Sequence, residues 1–136
     1  EPEAVARRYG AGLAALLAWF CGRVAGQLLV ACCGVTWLPP MEAWYSGLMP
    51  YGPLLASQVV ILAVMGKVTA DFLRDQVRPR ARLGRGLWIF GWVYLAAMAV
   101  RFALGVGPTI PIVFHWVLAL WTLLVAAYHR KRAAVG

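Results

Sequence analysis

Acidic side chains are almost missing from this chain. Five Asp and Glu stand against thirteen Lys and Arg, and none of the five falls inside a long apolar run. That excludes paired carboxylates working as general acid and base within a membrane. Histidine is nearly as scarce, with only His115 and His129. A Gly-rich phosphate loop, G-x-S-x-G and H-E-x-x-H are all absent, and Ser46 and Ser57 have no base-and-acid set beside them. Any catalytic reading would have to rest on His115 with Glu42 or tyrosines, so the chain reads as a non-enzyme. The three cysteines, Cys21, Cys32 and Cys33, are odd in number and lack C-x-x-C spacing. They form neither a disulfide framework nor a zinc signature.

What is present is apolar. Hydrophobic residues make up 62% of 136 positions, against ~45–50% in ordinary soluble domains. The length has room for one domain, 1–136. Residues 11–35 read AGLAALLAWFCGRVAGQLLVACCGV, and their only charge is Arg23. A run of ~20 apolar residues suffices to cross the hydrocarbon of a bilayer as a helix. Comparable runs place four spans at about 9–35, 53–69, 86–104 and 109–128. The fold expected is an all-α integral membrane four-helix bundle. Pro39-Pro40 stop the first helix, and residues 41–49 are expected to form a short interfacial helix in the connection that follows. Trp37, Trp44, Tyr45 and Tyr51 in this region suit the headgroup level.

Arg7-Arg8 before an apolar run resembles a secretory or twin-arginine signal. A signal h-region is ~7–15 residues long, whereas this run is about twice that, so a retained span is expected.

Basic residues set the expected orientation. Eleven of the thirteen lie in the N-terminal segment, the 67–85 loop and the C-terminal segment; the other two, Arg23 and Arg101, lie within spans. The positive-inside rule places both termini and the basic loop in the cytoplasm. Topology and attraction to anionic headgroups account for these charges. No nucleic-acid module surrounds them, and nucleic acid is not an expected partner. Abundant Ala, Arg, Gly and Trp suit a bacterial inner-membrane protein.

Intramembrane polar residues are the candidate site. By helical rise, Arg101, His115 and Gln58 fall in the outer leaflet, with Glu42, Tyr45 and Tyr51 above them. Together they outline a pocket for haem b, quinone or lipid. Imidazole is a common haem ligand, but His129 lies fourteen residues from His115, about 21 Å along one helix. One chain therefore cannot supply two histidines to one iron. The vicinal pair Cys32-Cys33 is similar in placement to that of small mercury-uptake membrane proteins, a resemblance that implies a soft-metal ligand role. The chain departs from that pattern in having no cysteine at its basic end to receive an ion.

Arg23 has no acidic partner in any span. Beside it, Ala14, Ala18, Gly22 and Gly26 recur at every fourth position, the small-residue spacing of close helix packing in membranes. An unpaired cation and a packing stripe together favour a non-catalytic accessory subunit of a membrane complex or a homo-oligomer. A ligand-binding or redox module is the first alternative, and a small oligomeric transporter built around Arg23 the second.

Overall fold

A computed structural model describes residues 2–44 and 50–135, whose regular elements are all helices. Helix α1 spans Pro2–Cys33, α2 Tyr51–Leu73, α3 Ala81–Ala103 and α4 Thr109–Val135. Each is long and apolar enough to cross a membrane. At 1.5 Å per residue, even the 23-residue helices reach about 35 Å.

Local chemistry explains the helix ends. Pro2 opens α1, where its missing N–H is not needed. Gly34 closes it with φ 61°, the left-handed conformation that follows a helix C-terminus. Gly105 does the same after α3 with φ 67°. Asp75, one of the few residue types that tolerate this region, turns the chain after α2 with φ 56°.

The helices overrun their expected ends at the basic side. Residues 67–73 continue α2 and residues 81–85 begin α3, so the connection shrinks to residues 74–80. Charged side chains do not stop a helix, because their long stems lie along apolar surface while their heads reach water. Of the expected interfacial helix over 41–49, residues 45–49 lie outside the described residues, Tyr45 and Ser46 among them. Met41–Ala43 make one short 3-10 turn.

The helices do not close symmetrically into a bundle. Helix α1 packs on both α2 and α4, and α3 packs on α4 alone to any extent. Long side chains link α2 to α4: the Trp121 indole N–H donates to Thr69 Oγ1 at 3.4 Å, and the Phe72 ring meets Tyr128 edge-on at 4.8 Å. Ala6, Leu13, Phe72, Val125 and Tyr128 form a core near the basic end. Phe20, Val24 and Met65 form a second one further along. The first core brings the start of α1, the end of α2 and the end of α4 to one end of the molecule.

Only Gly84 and Gly91 of α3 are buried. A Cβ at Gly84 would stand 2.9 Å from the Arg130 backbone nitrogen, and one at Gly91 would stand 2.7 Å from Leu123. These glycines set the α3–α4 approach. The stripe on α1 is used differently: Ala18 and Gly22 are exposed, and nothing lies within 4 Å of a Cβ at Gly22. Of its two glycines, Gly26 makes a close contact, and it is with a loop side chain rather than a helix.

Exposed surfaces of the helices are apolar, including Val60 on α2 at 62% and Val93 on α3 at 63%. Apolar side chains on outward faces are what lipid contact requires and water contact penalises.

Gly84→Ala is expected to destabilise the fold by about 1–3 kcal/mol, because the clash is with backbone. Gly86→Ala, which meets nothing within 4 Å, is expected to be neutral or stabilising by up to about 1 kcal/mol through helix propensity. Thermal unfolding in detergent compares the two.

Candidate functional site

Arg23 sits ten residues before the end of α1, about 15 Å of helix, and is 7% exposed. Its Nη2 donates to the Trp44 carbonyl oxygen at 2.8 Å. A guanidinium cannot shed its charge, so burial demands acceptors. Here the acceptor comes from the connection rather than from a helix.

Trp44 is packed into the protein rather than displayed on its surface. Its type and position suit the headgroup level, yet it is 6% exposed. The indole N–H donates to the Pro39 carbonyl at 2.9 Å. The ring lies against Gly26, where a Cβ would come within 2.7 Å of it. Pro39-Pro40 turn the chain back, the glycine leaves room, and the indole carries no unpaired donor into the interior. The connection thus folds down onto α1 and delivers a carbonyl to Arg23.

Beside this anchor lies a groove of about 510 Å³, lined by Ala18, Trp19, Gly22, Arg23, Pro39, Trp44, Ile110 and Phe114. It runs along the α1–α4 seam under the connection. Its walls are apolar and aromatic, and Arg23 is its one ionised lining residue.

No family model, curated protein or solved structure matches this chain.

The residues singled out from sequence separate into three groups around Arg23. Gln58, 2% exposed, donates its amide to Gln27 Oε1 at 3.4 Å, and Gln27 is 0% exposed. This pair bridges α1 and α2 one turn from Arg23. His115 on α4 is hydrogen-bonded through Nδ1 to the Tyr94 hydroxyl on α3. Arg23 lies within electrostatic reach of His115, Tyr94 and Tyr51. Arg101 has its own local role: Nε donates to the Val106 carbonyl at 3.0 Å across the end of α3. A cation there satisfies an orphan carbonyl and the helix dipole. Glu42 is exposed on the 3-10 turn, and Tyr45 lies outside the described residues.

Metal ligation gains nothing from the geometry. Among the described residues no cluster of three His, Cys, Asp or Glu side chains forms. Cys32 and Cys33 are both exposed at the end of α1. His129 stands at the basic end, where its Nδ1 accepts the Arg80 backbone N–H at 3.1 Å. It pins the 74–80 connection rather than joining His115. For haem, His115 would offer Nε2, with Nδ1 held by Tyr94 in the way outer-shell partners orient ligating imidazoles; a second histidine would have to come from another chain.

Trp44→Ala is expected to cost about 3–5 kcal/mol, the range for emptying a buried aromatic site. Trp37→Ala, at a 75% exposed side chain, is expected to stay within about 0.5 kcal/mol. Thermal unfolding, with protease cleavage inside residues 34–50 as the local readout, separates them.

Proposed function

We propose that this protein is a non-catalytic component of a membrane assembly, held in a bacterial-type inner membrane with both termini cytoplasmic. Arg23 is the observation that carries the reading. A buried cation with a carbonyl partner, and no carboxylate within ion-pair distance among the described residues, lines an apolar groove beside exposed Ala18 and Gly22. Small residues admit a close-packing helix, and a carboxylate on that helix would neutralise Arg23 in a medium where charge is costly. The occupant is a transmembrane helix of another subunit bearing Asp or Glu. A second copy of this chain fits less well, because its long helices carry acidic residues only near the basic end, Asp71 among them already paired with Lys67 at 2.8 Å, and its Glu42 lies on a 3-10 turn rather than on a helix that could fill the groove.

A photo-crosslinker at position 22 is expected to capture a partner segment containing an acidic residue. Arg23→Glu should abolish the complex, and reversing the partner's acid to Arg should restore it. Crosslinks to lipid alone, with a monomeric protein, would sink the assignment; crosslinks between copies would make it a homo-oligomer.

The His115–Tyr94 pair within reach of Arg23 supports a second reading, a module binding haem b or quinone. An absorption spectrum of gently solubilised protein, oxidised and then dithionite-reduced, tests the haem form. A Soret band lost in His115→Ala would replace the first reading, and extraction of a quinone would do so for the other cofactor.

A further inference from the structure

The opposite end of the molecule carries a second cavity, and its chemistry is different. About 320 Å³ in volume, it is lined by Trp88 of α3 and by Ala127, Arg130 and Lys131 of α4. We propose that it binds the phosphate headgroup of an anionic phospholipid, with the acyl chains lying along α3.

Packing builds the pocket. Gly84 lets the Arg130 backbone press against α3, and the Arg130 guanidinium then lies over the Trp88 ring, 4.5 Å from its centroid. A stacked guanidinium is held in place by its face while its in-plane N–H edges remain available, the geometry that grips a phosphate bidentately. Lys131 adds a second charge at the rim. Neither cation has a carboxylate within ion-pair distance among the described residues, where the one ion pair is Lys67–Asp71. A bound anion supplies the missing charge.

The apolar half of the ligand is matched as well. Trp92 meets Trp88 edge-on at 5.7 Å and is 49% exposed. It continues the aromatic wall one helical turn towards the middle of α3. Cations at the helix end and exposed rings beyond them repeat the order in which a phospholipid presents headgroup and chain. A zwitterionic lipid offers the same phosphate but adds an ammonium, for which the lining has no acceptor charge. This site is independent of the Arg23 groove, which lies at the other end of α4.

Native mass spectrometry of the full chain in neutral detergent, titrated with phosphatidylglycerol, phosphatidylcholine or free glycerol 3-phosphate, tests the assignment. Phosphatidylglycerol is expected to bind in preference to the other two. Arg130→Ala with Lys131→Ala should weaken it about tenfold, whereas Arg78→Ala with Arg82→Ala, removing equal charge from the same end, should change it less than about twofold. If the alanine pair fails to fold, Arg130→Gln, which keeps the stem and removes the charge, is expected to weaken binding in the same direction. Equal losses in both double variants would overturn the proposal in favour of a diffuse surface field. Equal binding of phosphatidylcholine, or of glycerol 3-phosphate at the same concentration, would overturn it as well.

Discussion

The contact between Arg23 and the Trp44 carbonyl is the constraint around which the rest of the structure is arranged. A permanent charge in the middle of an apolar helix is tolerated only where acceptors are supplied from inside the protein. The backbone carbonyls of the helices at that depth are spent on helical bonds. A loop carbonyl is the remaining backbone source, and a loop can come that far down only if its polar groups are satisfied too. The Pro39–Trp44 hydrogen bond and the notch at Gly26 meet those conditions. The connection is therefore folded inward, and the groove beside it exists because Trp44 forms one of its walls.

How much of this is legible beforehand depends on the range of the interaction. The four apolar helices can be read at sight, because hydrocarbon thickness sets their length and composition. The clustering of basic residues is equally plain. Helix ends at the basic side are not: in residues 67–73 and 81–85 the apolar pattern breaks while the helix continues. Trp44 illustrates a deeper limit. An aromatic in a connection suits the interface on composition, and only the three-dimensional path of residues 34–44 reveals that it turns inward. The small-residue spacing on α1 is conspicuous, yet close approach between helices occurs at Gly10 and Gly12, outside the four positions of that stripe, and at Gly84 and Gly91 of α3, where an isolated pair seven apart gives a weak signal. Tyr94 had no feature to single it out; its partnership with His115 follows from the hairpin that α3 and α4 make about the 104–108 turn.

The arrangement of contacts also assigns the helices different duties. Helix α3 rests on α4 alone, through the close approach at Gly84 and Gly91 and through side-chain contacts at Trp88, Tyr94 and Phe102, and leaves its other face uncovered. Helix α2 is tied to both α1 and α4, and the Gln27–Gln58 amide pair adds a polar link where lipid makes such links worth about 1 kcal/mol. The α1–α4 seam joins the two halves of the chain.

That seam is assembled from the first helix and the last. Ala18, Trp19, Gly22 and Arg23 come from α1, and Ile110 and Phe114 from α4, so the groove is incomplete until α4 has docked. Docking of α4 shields the guanidinium on one side and brings Tyr94 and His115 within its field. The lateral opening remains. In the function proposed above, the two small residues and the aromatic wall left uncovered beside this buried cation are where a partner helix would pack.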